Sequence, residues 1–302
     1  MAMIRIAHHT IYAHPLPEGH RFPMAKYELL PQQLLLEGTC KKEQFFAPKR
    51  ITDSHITRTH CKDYYEQLNS LSLSNKEARR IGFPLSAELI ERECIIAQGT
   101  LEGCTFALEN GVSFNIAGGT HHAFYDRAEA FCLLNDQAIA ANYLLDNKLV
   151  QKILIIDLDV HQGNGTAALF QKNNAVFTFS VHGKANYPFQ KEKSDLDIAL
   201  ADNTQDAAYL GMLEETLHKL LNDFQPDFVF YLSGVDVLKE DKLGRLSLSL
   251  GGAKKRDEIV LSACYERNIP VQCSMGGGYA PDVNIIVEAH ANTYRVAAAI
   301  YD

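Results

Sequence analysis

The sequence predicts an α/β fold, a mainly parallel sheet covered by helices on both faces, and three observations carry that prediction. From about Gly111 onward, short β-branched or aromatic runs alternate with longer helical patterns. The strands read as continuous apolar runs, the pattern of strands buried on both faces, and strands that alternate with helices pair in parallel. The chain of 302 residues is 46% hydrophobic and 22% charged, enough to bury a large core, and no repeat, low-complexity tract or Pro/Gly/Ser linker divides it. Residues 1–302 are therefore read as one domain.

In chain order, strands are expected at residues 4–7, 112–116, 153–157, 175–181, 228–232 and 271–274. Helices are expected at residues 86–107, 127–146, 205–224, 253–267 and 282–301. The first 110 residues are less regular and read as the sheet's edge plus loops.

Composition narrows the function. Lys plus Arg total 29 against 37 Asp plus Glu, a net charge of -8 with no dense basic run, which disfavours direct nucleic-acid binding and suits a cationic or neutral substrate. Seven scattered cysteines with no C-x-x-C pair argue for reduced thiols in a reducing compartment. No segment approaches the ~20 apolar residues of a membrane span, and the first residues lack a signal-peptide core, so a cytoplasmic protein is expected.

Ligands of open parallel sheets bind beyond the carboxyl ends of the strands, so those ends are where chemistry is sought. They read Gly118-Gly119-Thr120-His121-His122, Asp157-Leu158-Asp159-Val160-His161, Ser233-Gly234-Val235-Asp236 and Gly276-Gly277-Gly278-Tyr279. If the strand stays extended, Asp157, Asp159 and His161 point to one face, a metal-site arrangement that also occurs as a plain ion-pair cluster. Asp236 can supply a third ligand, leaving a coordination position open, as catalytic zinc requires. His121 and His122 suit general acid–base work, although adjacent histidines are often merely exposed. Tyr279, after three glycines, can donate to a developing oxyanion or simply pack in the core. Gly163-Asn164-Gly165-Thr166-Ala167-Ala168 fits a dinucleotide-binding pattern, but six residues separate it from its strand, which argues against nucleotide binding. No G-x-S-x-G elbow offers a serine nucleophile.

These segments, with Ala130-Phe131-Cys132-Leu133-Leu134-Asn135-Asp136, resemble the zinc-dependent histone deacetylases over most of the chain. The segment from His20 to Tyr27, the Gln162 and Asn164 pair, and Asn186-Tyr187-Pro188 look closest to the class IV branch and its bacterial relatives. The resemblance implies an arginase/deacetylase-like fold and one Zn²⁺ on Asp159, His161 and Asp236. It implies His121 and His122 as the tandem proton-transfer pair, Asp157 orienting His121, Asn164 orienting His122, and Tyr279 polarising the scissile carbonyl. It further implies a K⁺ site formed by Asp157, Asp159, His161, Ser180 and the backbone of Val181. Phe131 and Tyr187 would flank an acyl-lysine channel, Ala130 and Gly277 would line it with backbone, and Arg21 would sit below the metal. Many family members carry aspartate where this chain has Asn164, and an amide cannot stabilise an imidazolium as a carboxylate does.

The expected activity is hydrolytic removal of acyl groups, acetyl or longer, from lysine side chains of a peptide or protein by metal-activated water. The alternatives are deacylation of acylated polyamines at the same site, an arginase-like di-metal ureohydrolase, and a non-catalytic acyl-lysine binder.

Overall fold

A computed structural model describes residues 4–301, so residues 1–3 and 302 of the expected domain lie outside the described residues. Among the described residues there are eight strands: β1 (Arg5–Ala7), β2 (Phe45–Phe46), β3 (Val112–Asn115), β4 (Ile153–Asp157), β5 (Val176–Gly183), β6 (Leu196–Leu200), β7 (Phe228–Leu232) and β8 (Val271–Ser274). They form one sheet in the order β2-β1-β3-β8-β7-β4-β5-β6, with every pair parallel. Every residue of β3, β4, β7 and β8 is buried, so the centre of the sheet is covered on both faces, as its unbroken apolar runs require.

Among the described residues ten α-helices accompany the sheet: α1 (Lys26–Leu36), α2 (Asp53–Thr59), α3 (Lys62–Asn69), α4 (Asn75–Ile81), α5 (Ala87–Asn110), α6 (Asp136–Asp146), α7 (Asn164–Phe170), α8 (Asp206–Phe224), α9 (Leu250–Glu266) and α10 (Val283–Tyr301). The long α5 packs on β1, β3 and β8 and carries α6, while α8, α9, α10 and α1 pack one on the next. Among the described residues no helix is long and apolar enough to cross a membrane.

Three expectations change. The helix expected from residue 127 begins at Asp136, because Asn135 caps it by accepting the Ala138 amide at 3.0 Å and because Ala130 and Phe131 before it hold positive φ, +45° and +68°, that no helix contains. The region read as edge plus loops does hold edge strands β1 and β2, but also α1 to α4. Pro31 inside α1 is a helix-breaking signal, and α2 to α4 run only 7 or 8 residues, too short for periodicity to declare them. Strand β6 has no counterpart among the expected strands, because it is a half-exposed edge whose apolar run is interrupted at Asp197.

Candidate active site

The carboxyl ends of the four central strands β3, β8, β7 and β4 converge on one cavity of about 690 Å³. Beyond β4 the backbone does not stay extended: the strand ends at Asp157, and the next residues turn. Asp157 Oδ1 accepts the Asp159 amide at 3.1 Å and Asp159 Oδ1 accepts the His161 amide at 2.9 Å, two successive side-chain-to-backbone turns of the kind aspartate favours. The single-face argument from strand alternation is thereby corrected: Asp157 faces the histidine pair, while Asp159 and His161 reach the cavity from the turns.

Asp236 arrives from the segment after β7, fully buried, with its Oδ1 accepting the Val160 amide at 3.0 Å. His161 Nδ1 then lies 3.0 Å from Asp159 Oδ1 and 3.2 Å from Asp236 Oδ2. Among the described residues these three make the one cluster of His, Cys, Asp or Glu side chains whose donor atoms, within 4.8 Å of one another, suit a metal. The electrostatics say the same. Burial and the adjacent Asp159 charge push Asp236 up to about 7, and His161, despite a burial effect that alone would lower it, is raised to about 10 by its contacts to both carboxylates. A divalent cation bound there would take the place of the imidazolium proton between the two carboxylates. Gly277, at φ +55°, makes room for this: a Cβ there would sit 2.2 Å from Asp236 Oδ2.

His121 and His122 are buried, their ring centroids 4.1 Å apart. His121 Nδ1 donates to Asp157 Oδ2 at 2.8 Å, and His122 Nδ1 lies 2.6 Å from Asn164 Oδ1. Burial works to lower His121, but the Asp157 charge and hydrogen bond win and raise it to about 8. His122 is driven well below its ordinary value by burial and by the positive charges of His121 and His161. The dinucleotide-like glycines have a different use here, since a Cβ on Gly163 would lie 2.3 Å from Asp157 Oδ2 and one on Gly165 2.3 Å from the Ala123 carbonyl oxygen. They let the start of α7 press against the histidine turn.

Tyr279, Phe131, Tyr187, Ala130 and Gly277 all line the cavity. Burial and the charges of Asp236 and Asp159 hold the Tyr279 phenol well above its ordinary value, so it stays a proton-bearing donor. Phe131 is fixed from its backbone, whose amide donates to Ile81 O at 2.6 Å, while the neighbouring Ala130 amide donates to Arg80 O at 2.9 Å. Ser180 and Val181 lie on β5, with Ser180 paired in register with Asp157 and both buried behind the cavity wall.

Arg21 departs from the expected place. It is exposed, with its guanidinium 5.0 Å from the Phe131 ring, whereas Lys26 and Arg92 are buried cations that line the cavity. Lys26 Nζ donates to the Gly277 carbonyl and lies 5.8 Å from the Tyr279 ring centroid. Burial lowers it to about 8 against the opposing pull of Asp236 and Asp159. The reason is local: Lys26 opens α1 and points inward, five residues beyond an arginine on the exposed approach. Sequence reading also passed over Asp136 and Asp241. Asp136 Oδ1 accepts both the amide of Thr120 at 2.9 Å and its hydroxyl at 2.7 Å, fixing the turn before the histidines. Asp241 Oδ2 accepts the Tyr279 amide at 2.6 Å. The available signal for Asp241 was its place ahead of Lys242-Leu243-Gly244, a turn in which an aspartate captures the following amides.

A family model described as "Histone deacetylase domain" matches residues 20–294. An uncharacterized protein of Picosynechococcus sp. is 42% identical over 98% of this chain and 99% of its own length. Histone deacetylase 2 of Arabidopsis thaliana is 29% identical over 91% of this chain and 74% of its own, and the acetoin utilization protein AcuC of Staphylococcus xylosus 28% identical over 86% and 73%. Among solved structures, a histone deacetylase homolog from Aquifex aeolicus superposes with a TM-score of 0.82 at 22% identity, covering 98% of this chain and 84% of that one, which shows a shared arginase/deacetylase-like α/β fold. The chain belongs to the histone deacetylase family and is a hydrolase acting on amides.

Proposed function

We propose that this hydrolase removes acyl groups from lysine side chains with a single Zn²⁺ held by Asp159, His161 and Asp236, acting as one catalytic domain. The carrying observation is the approach of His161 Nδ1 to both carboxylates, 3.0 and 3.2 Å, in the same cavity as the two histidines and Tyr279. A donor set of two carboxylate oxygens and one imidazole fits zinc with a position to spare. When bound, the metal would polarise the amide carbonyl and bring the pKa of a water to about 7.

The chain's own residues do the rest. Phe131 and Tyr187 guide the aliphatic stem, and a cavity of about 690 Å³ has room for that stem and an acyl group. The Tyr279 phenol donates to the carbonyl oxygen as charge builds there. His122, held neutral, has its Nδ1 engaged by Asn164, so a proton taken from the attacking water goes to Nε2. His121, raised by Asp157, is the cationic member of the pair and stabilises the developing negative charge. Asp157 orients His121, and Asp157, Asp159, His161, Ser180 and the Val181 backbone are the place for a K⁺ ion. Arg21 contributes at the rim. A cytoplasmic setting accords with Cys61, Cys94, Cys104, Cys132, Cys264 and Cys273, none of which forms a disulfide.

A hydrolysis screen of the zinc-loaded protein tests the reading, using lysine peptides and polyamines acylated with chains from acetyl to myristoyl. Turnover of acyl-lysine peptides is expected, with Asp236→Ala and His161→Ala losing both metal and activity. Binding without turnover would establish the binder instead, preference for acyl-polyamines would move the substrate, and two tightly held catalytic ions per chain would overturn the mononuclear site.

A further inference from the structure

Asn164 stands where the resemblance to the histone deacetylases leads one to expect aspartate in many members, and a carboxylate, Glu129, lies one residue further out. Asn164 Nδ2 donates to Glu129 Oε2 at 3.3 Å, and the same oxygen accepts the Tyr187 hydroxyl at 2.7 Å. The other carboxylate oxygen takes Arg127 Nε at 3.1 Å, so Glu129 gathers three donors. Tyr187 stands edge-on to His122, with ring centroids 5.1 Å apart at 82°.

The donor and acceptor chemistry of this chain of contacts runs one way. A carboxylate only accepts, so the Asn164 amide must turn its NH₂ toward Glu129 and its oxygen toward His122. That oxygen, 2.6 Å from His122 Nδ1, requires the proton on Nδ1 and leaves Nε2 bare. An asparagine alone has no such preference, because its two ends differ little in size and either can meet an imidazole nitrogen.

We propose that Glu129 is a positioning residue that fixes the flip of Asn164, and through it the Nδ1–H tautomer of His122, while tying this relay to the channel wall at Tyr187. The inference rests on the reading of His122 as the proton acceptor. It explains how an amide serves where relatives use a carboxylate: the charge is moved outward, and the amide passes on orientation.

The test uses the full-length zinc-loaded enzyme labelled with ¹⁵N-histidine, with the His122 tautomer read by NMR alongside kcat and KM. The parent should show a single Nδ1–H form. Glu129→Gln, which can present either an amide nitrogen or an oxygen to Asn164, should show a second tautomer and lose roughly tenfold in kcat, a part of what a positioned acid or base contributes. Adding Asn164→Asp to Glu129→Gln puts an acceptor-only group directly on Nδ1, and should restore the single tautomer and most of kcat. Asn164→Asp alone, with two carboxylates in contact, should fall below that double variant. A single tautomer persisting in Glu129→Gln, or a double variant no better than Glu129→Gln, overturns the proposal. Full activity in His122→Ala would instead remove His122 from proton transfer, a failure of the underlying reading that the tautomer measurement distinguishes.

Discussion

Tyr279 owes its place to Asp241, whose Oδ2 holds the Tyr279 amide while its Oδ1 holds those of Leu243 and Gly244 at 2.8 and 2.9 Å. The phenol is thus aimed from its backbone, and removing the hydroxyl leaves that anchoring intact. Tyr279→Phe is therefore expected to keep fold and metal and lower kcat by about 10²–10³, the usual loss for one oxyanion donor. Steady-state kinetics with metal analysis checks it, and an unchanged kcat with a raised KM would reassign Tyr279 to substrate binding. His60 is a different kind of residue: buried, it donates from Nδ1 to the Phe124 carbonyl at 2.8 Å and accepts the Asn135 amide at Nε2 at 2.9 Å, so it must be neutral. Burial lowers it from 6.5 to about 4. Its contribution to stability is complete above pH 6.5 and is lost as pH falls toward 4, at about 1.4 kcal/mol per pH unit. Urea midpoints at several pH values should show stability falling as the pH drops below 6.5, and in His60→Gln that slope should flatten by one proton whatever the variant's absolute stability.

At the level of elements, α9 contributes a strut to the site. Arg256 is fully buried, donates to the carbonyls of Leu158 (3.3 Å) and Gly234, and pairs with Asp257 at 2.8 Å, while Asp257 also takes the hydroxyls of Tyr231 and Thr293 at 2.5 and 2.7 Å. Leu158 immediately precedes Asp159, and Gly234 stands two residues before Asp236. Arg256→Met leaves Asp257 buried without its cation, and is expected to cost about 3–5 kcal/mol and to weaken metal retention. Chemical denaturation and metal content after dialysis measure both effects. Neither Arg256 nor its role was legible in the sequence, where it reads as one more charge on an amphipathic helix. The strand ends were legible because four of them carry acids, histidines or a tyrosine next to glycines, a concentration that needs no coordinates to notice. Helix α6 was overextended because the nine residues before Asp136 include apolar positions that a helical period tolerates, and positive φ at Ala130 and Phe131 leaves no mark in the residue types. Arg21 was placed too deep because a guanidinium and an ammonium five residues apart look equivalent until a helix turns one of them inward.

At the scale of the whole molecule, the order of the strands in the sheet differs from their order in the chain. Strand β8, the last to be made, lies between β3 and β7 and pairs with both. It joins two slabs, β2-β1-β3 with the histidine turn at its end, and β7-β4-β5-β6 with Asp159, His161 and Asp236. Tyr279 follows β8 by only a few residues, so the seating of β8 also places the phenol in the cavity lined by His121, His122, Asp159, His161 and Asp236. A single central strand thus joins the two halves of the cavity, and the site is whole only with β8 in its place.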